Sequence, residues 1–192
     1  MGVEFELKYT ATPVSQDVIM NDLSNAWYPI SMETTYYDTP SGSLSQKHYT
    51  LRRRLENGIS VCTVKTPIAD RARGEWETQR EDIHAAIPEL CKLGAPADLE
   101  TLTAEGLEIV CGARFRRETC TVRFGGAVME IALDRGVLFS GSREIPLCEV
   151  EVELKSGPRV SAVLYAQHLA EKYHMEPQPK SKFRRALDLR EA

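Results

Sequence analysis

Glu149-Val150-Glu151-Val152-Glu153-Leu154-Lys155 alternates charged and apolar side chains at every step. Successive side chains of an extended strand point to opposite faces. Glu149, Glu151 and Glu153 therefore share one face, and Val150, Val152 and Leu154 the other. The same pattern opens the chain, with Glu4, Glu6 and Lys8 opposite Phe5 and Leu7. It returns in Arg52 and Arg54, in Thr63 and Lys65, in Arg73, Glu75 and Glu77, and in Glu130 and Asp134. Arg53 has the wrong parity and should point outward. Arg117 lies in a further strand-like run, where Arg114, Arg116 and Arg123 compete with it for the shared face.

Turn signals connect these runs. Asn57-Gly58 separates Tyr49 to Leu55 from Ile59 to Lys65, which predicts a hairpin. Gly125-Gly126 joins Arg114 to Arg123 with Ala127 to Asp134 in the same way. Thr34 to Tyr37 and Gly74 to Glu81 read as two more strands. Thr12-Pro13 starts a helix that runs to about residue 26, with Val14, Val18, Ile19 and Leu23 at helical spacing. Val160, Val163, Leu164 and Leu169 mark a second helix, ending near His174. Residues 84–112, punctuated by Pro88, Gly94, Pro96, Gly106 and Gly112, hold short helices, and Ser181 caps a last one. No repeat or composition break divides residues 1–192, which are expected to form one domain. Many hairpin-linked strands and two clear helices predict an antiparallel α+β domain closed into a barrel.

Composition narrows the function. The 192 residues are 42% hydrophobic and 27% charged, as expected of a soluble globular chain. No apolar run reaches the roughly 20 residues of a membrane span, and Met1-Gly2-Val3-Glu4 does not open a secretory signal. Gly2 is followed by Glu6 where a myristoylation motif wants Ser or Thr. Cys62, Cys91, Cys111, Cys120 and Cys148 form no CxxC pair, and His48, His84, His168 and His174 are as scattered, so neither disulfides nor zinc are expected. A net charge of −4 argues against nucleic acid and anionic membranes as partners. The expected location is the cytoplasm.

An antiparallel sheet commonly keeps one face in water. Three features depart from that picture. Like charges are grouped, although Glu149, Glu151 and Glu153 repel one another at two-residue spacing. The polar faces are rich in Arg, whose planar fork suits phosphate. A carboxylate cluster beside an Arg and Lys cluster is what a metal–polyphosphate complex requires, because hard cations take carboxylate oxygens and phosphates take guanidinium and ammonium donors.

Read together, these segments resemble the CYTH superfamily, the triphosphate tunnel metalloenzymes. Glu4-Phe5-Glu6-Leu7-Lys8 is similar to its ExExK signature, and Tyr36-Tyr37-Asp38-Thr39-Pro40 to its YYDTP segment. Leu51-Arg52-Arg53-Arg54, Thr63-Val64-Lys65 and Arg73-Gly74-Glu75-Trp76-Glu77 resemble its LRxR, TxK and RxExE strands. Residues 130–136 resemble EIALDxG, residues 149–157 ExExELKxG, and Ser181-Lys182-Phe183 the C-terminal SK motif. The combination, in family order, spans nearly the whole chain.

The resemblance implies an eight-stranded antiparallel barrel with a charged tunnel inside and helices outside. It implies magnesium or manganese bound by Glu4, Glu6, Glu151 and Glu153, with Glu149 nearer one end. Lys8, Arg52, Arg54, Lys65, Arg117 and Lys182 would grip the phosphate chain, and turnover would depend on Glu6 and Lys182. Glu75, Glu77, Glu130, Asp134 and Arg73 share the inner face in catalytic or ion-pairing roles, and Arg184 or Arg185 joins the site or caps the tail helix. The expected reaction is hydrolysis of inorganic triphosphate. No segment shows an aromatic cluster suited to a nucleobase or thiazole. A class IV adenylate cyclase, a thiamine triphosphatase and a non-catalytic polyphosphate- or nucleotide-binding module are the alternatives. A homodimer is compatible with the sequence.

Overall fold

Asn57 and Gly58 both take positive φ, 50° and 86°. A two-residue hairpin turn needs that geometry, because its twist then matches the strands on either side. The computed structural model describes residues 2–23, 26–68 and 73–191, with side chains from Phe5 to Arg190. The hairpin joins β4 (Thr50–Glu56) to β5 (Ile59–Pro67), and β6 (Arg73–Gln79) pairs with β5 beyond it. Gly125-Gly126 joins β7 (Glu108–Phe124) to β8 (Ala127–Ser140), which pairs in turn with β9 (Arg143–Ser156). β3 (Tyr28–Asp38) bridges the two groups, pairing with β4 on one side and β7 on the other.

The N-terminal strand closes the sheet. Its first part, β1 (Gly2–Glu4), pairs with β6, and its second, β2 (Glu6–Thr10), pairs with β9. The order is β1-β6-β5-β4-β3-β7-β8-β9-β2, all antiparallel, so the two edges meet across Phe5. Counting β1 and β2 as one interrupted strand gives the expected eight.

The apolar faces turn outward under helices. α1 (Pro13–Leu23) and α5 (Arg159–Lys172) cover Tyr9, Ile131, Leu133, Val150 and Val152. α2 (Ser43–Gln46), α3 (Ile83–Lys92) and α4 (Asp98–Thr103) cover Leu51, Cys62, Val64 and Trp76. Burying each large aliphatic is worth about 1.5–3 kcal/mol. A like-charge cross-strand pair on the inner face costs less, on the order of 1 kcal/mol or below.

Two expectations about helices change. The faces that α1 and α5 bury are not those marked by the valines. Val14 and Val18 are exposed, as are Val160 and Leu164. The buried stripe of α1 is Gln16 and Ile19, and that of α5 is Ala162, Ala166, Leu169 and Ala170. Small alanines let the helix axis approach the sheet, which outweighs the size of the valines. The last helix, α6 (Lys182–Glu191), does not lie outside. Phe183 packs on inward-facing Tyr36, with ring centroids 5.1 Å apart. Ala186 joins Phe115, Leu138 and Leu147, which are also on inner-face positions. One end of the inner face is apolar, and α6 covers it. No described helix is long and apolar enough to cross a membrane.

Candidate functional site

A cluster of buried charges is built from β7, β8, β9 and α6. Asp134 and Glu149 sit opposite one another in the β8–β9 register, and neither has side-chain exposure. Arg117 lies opposite Asp134 on β7 and donates Nε and Nη2 to its two oxygens, each at 2.7 Å. This fork contact also resolves the register of β7: Arg117 points inward. Arg114 and Arg116 point outward to Glu144 and Glu118, and Arg123 lies two pairings from the turn, opposite Val128. Arg117 also donates to Glu151.

Lys182 Nζ enters the same cluster from the start of α6. It is 2.7 Å from Asp134 Oδ2, 2.7 Å from Glu151 Oε1, and hydrogen bonded to Glu149. Arg185, one turn later, reaches the other oxygen of Glu149. Three carboxylates thus meet three cations out of water, the arrangement in which buried ions are tolerated. Burial, joined by repulsion from Glu151, pushes the Glu149 carboxyl up against the pull of Lys182 and Arg185. At Glu151 burial is the largest single influence, but Lys182 and Arg117 together override it and hold the carboxyl well below the usual range. Burial disfavours the charged Lys182, yet the three carboxylates raise it above the ordinary lysine value.

A second acidic group lies further along the same strands. Glu6 faces Glu153 across β2 and β9, and Glu153 faces Glu130 across β9 and β8. Their side chains keep 29%, 26% and 31% exposure, against none for Glu149, so this group is open to solvent and small ions. Lys155 contacts Glu153 at 2.7 Å and Glu130 at 3.5 Å, and Lys8 contacts Glu6 at 3.3 Å. The side chain of Glu4 is outside the described residues.

The basic wall is on β4 and β5. Arg52 lies 3.4 Å from Glu75 and 3.9 Å from Glu77, and Lys65 lies 3.2 Å from Glu75. Arg73 donates to His48 O and Thr50 Oγ1 at the strand end. Arg53 points outward to Glu81 O. Among the described residues Arg54 contacts one carboxylate, Glu56 at 3.3 Å. Its Nε is buried with no hydrogen-bond partner among the described residues, as is Thr34 Oγ1, directly opposite it on β3. Burial, then repulsion from Arg52 and Arg117, lowers the Arg54 guanidinium below its ordinary value. Two orphaned donors side by side on an inner wall are expensive unless a ligand accepts from them.

Beyond the tunnel's apolar end, a cavity of about 320 Å³ is lined by Ser45, Tyr49, Thr50, Arg73, Phe183 and Leu187. Tyr49 and Phe183 come from segments far apart in sequence, so no aromatic cluster was visible there. Gln16 also escaped notice. It occupies the α1 stripe continued by Ile19, Met20 and Leu23 at helical spacing, and a polar residue at such a position was the available signal.

The fold is thus a closed antiparallel barrel whose interior carries opposed acidic and basic walls. The CYTH domain model matches residues 3–187, and the chain belongs to the CYTH domain family. An inorganic triphosphatase of Haemophilus influenzae is 30% identical over 125 residues, 64% of this chain. The match spans 36% of that longer protein. Among solved structures, the PH1819 protein of Pyrococcus horikoshii superposes with a TM-score of 0.64 at 21% identity, covering 98% of this chain and 99% of the other. HpAC1 from Hippeastrum, whose structure is described as revealing a dominant triphosphatase activity, gives 0.63 at 14% identity, covering 95% and 93%. At these identities the two structures establish the fold alone.

Proposed function

We propose that the barrel hydrolyses inorganic triphosphate to pyrophosphate and phosphate, in a divalent-metal-dependent reaction. The observation that carries this reading is the orphaned pair Arg54 Nε and Thr34 Oγ1, side by side on the inner wall. A polyphosphate chain supplies the missing acceptors. The relatedness to an inorganic triphosphatase supports the choice of substrate.

The carboxylates suit the expected cofactor. Asp134, Glu149 and Glu151 can each direct an oxygen to within 4.8 Å of the others, and an oxygen-only donor set fits magnesium or manganese rather than a softer ion. Their cations already neutralise these three, so Glu6 and Glu153 are the more accessible ligands. Glu151 joins them when Arg117 or Lys182 turns from it to the phosphate chain. When bound, the metal supplies charge neutralisation and a more acidic water.

Arg52, Arg54 and Lys65 hold the phosphate oxygens from one wall, and Lys8, Arg117 and Lys182 from the other. Glu75 and Glu77 keep Arg52 and Lys65 extended along their wall. The phosphoanhydride oxygen leaves on pyrophosphate, whose new charge these cations stabilise, and water supplies the hydroxyl that completes the phosphate.

The test is phosphate release from inorganic triphosphate, ATP and thiamine triphosphate, each with magnesium, manganese or EDTA. Metal-dependent turnover fastest on inorganic triphosphate supports the reading. The 320 Å³ cavity favours a second reading, in which the substrate carries an organic group between Tyr49 and Phe183. Faster turnover of either organic triphosphate would select it, and cyclic AMP formed from ATP would select a cyclase. Binding of triphosphate without turnover of any substrate would leave the non-catalytic module.

A further inference from the structure

Gln16 is 1% exposed, on the outer side of the barrel wall, behind the ion cluster. Its Nε2 donates to two main-chain carbonyls, Asp134 O and Glu149 O, each at 3.0 Å. These are the two residues that face each other in the β8–β9 register and send their carboxylates inward to Lys182. The amide orientation is set independently. Oε1 accepts from Arg135 Nε at 2.9 Å, and Arg135 is tied by Nη2 to Pro13 O at 2.8 Å and Asp17 Oδ1 at 2.7 Å. An amide flip would place Nε2 against the guanidinium, so the donor must face the sheet.

From this geometry we infer that Gln16 is a positioning residue for the reaction, fixing the Asp134–Glu149 pair from outside the tunnel. The inference rests on the triphosphatase reading above. A peptide plane held by a side-chain donor restricts the direction of its own Cα–Cβ bond. One amide nitrogen bonding both planes therefore fixes the spacing of the two carboxylates. That spacing sets where Lys182 Nζ rests, and hence whether it reaches the oxygen that gains charge as pyrophosphate leaves. Apolar packing would hold α1 on the sheet equally well, and the neighbouring Ile19 is fully buried in that way. The donor end of the carboxamide contacts the two carbonyls, so a buried donor in this stripe holds them. Groups that orient the residues at a reacting centre typically change rate or affinity by about 10–100-fold when removed.

The experiment compares wild type, Gln16→Met and Gln16→Glu. Gln16→Met keeps the length of the side chain and removes both donors. Gln16→Glu keeps the acceptor for Arg135 and turns an acceptor toward the two carbonyls. Steady-state hydrolysis of inorganic triphosphate with magnesium is measured for all three, beside their melting temperatures. The expected result is that kcat falls about ten-fold in both variants while KM stays within about two-fold, at a temperature well below both melting points. A kcat within two-fold of wild type in either folded variant overturns the inference, whatever the melting temperature does. So does a rise in KM with kcat unchanged. If one variant does not fold, the other decides. If wild type itself does not turn over, the triphosphatase reading has failed instead, and the two failures are distinguished.

Discussion

Lys182, the first residue of the last helix, lies 2.7 Å from Glu151 in the middle of the last strand, with both side chains nearly out of water. The contact ties the C-terminal helix to the acidic wall. Removing one partner of a buried ion group leaves the others uncompensated, which typically costs about 3–5 kcal/mol. Lys182→Ala should therefore lower the unfolding free energy by about that amount in urea, besides reducing turnover. Adding Glu149→Gln to Lys182→Ala removes the surplus negative charge and should restore part of the stability. No recovery in the double variant would show that the cost lies in packing, not in charge.

The two glutamates of this cluster titrate in opposite senses. The Glu151 carboxyl is held below its ordinary value of 4.5, so its ion pairs contribute stability above about that pH. This contribution is lost as the pH falls through the depressed folded value. The Glu149 carboxyl is raised above 4.5 by burial, so its titration favours the fold at low pH and that gain disappears as the pH rises through the raised value. Urea unfolding between pH 7 and pH 3 should show Glu151→Gln losing less stability below pH 4.5 than wild type. Glu149→Gln should lose more than wild type, or gain less, as the pH falls from 7 to 4.5. Parallel curves for all three proteins would contradict the assignment.

Arg54 gives a prediction of the opposite kind. Its charge is buried and under-satisfied in the free protein, so stability does not require it. Arg54→Met should unfold within about 1 kcal/mol of wild type, or be more stable. The same variant should lose most of the rise in melting temperature that inorganic triphosphate gives wild type. Differential scanning fluorimetry with and without triphosphate checks both halves.

Gly136 tests the wall itself. A Cβ there would lie 2.1 Å from Arg114 O and 2.5 Å from Phe115 Cα, both backbone atoms of β7. Neither can yield without separating β7 from β8 where Arg117 and Asp134 meet two residues away. Gly136→Ala should cost about 3 kcal/mol or more, at or beyond the upper end of ordinary overpacking, read as a shift in urea midpoint.

The alternation of Glu149, Glu151 and Glu153 with Val150 and Val152 made the strands and their charged face legible, because side-chain parity is a local property. Asn57-Gly58 and Gly125-Gly126 made two hairpins legible for the same reason. Lengths were less readable. β3 begins at Tyr28, well before Thr34, since pairing with β4 and β7 extends it through residues of weak strand character. In sequence Glu149 lies at the end of the alternating run, which sets it apart from Glu151 and Glu153. Yet Glu149 is as buried as any residue, because α6 folds back over that end. No local pattern announces such a return. The same limit applies to Arg117, whose inward direction follows from its registration with Asp134.

The carboxylate wall is proposed to hold a metal with which the barrel cleaves triphosphate. Hydrolysis of inorganic triphosphate against magnesium concentration, for wild type and Glu6→Gln, tests it most directly. The expected result is saturable turnover by wild type, none in EDTA, and at least about a ten-fold higher magnesium requirement or near-complete loss in the variant. Turnover that persists in EDTA, or a variant whose magnesium curve overlays that of wild type, would contradict it.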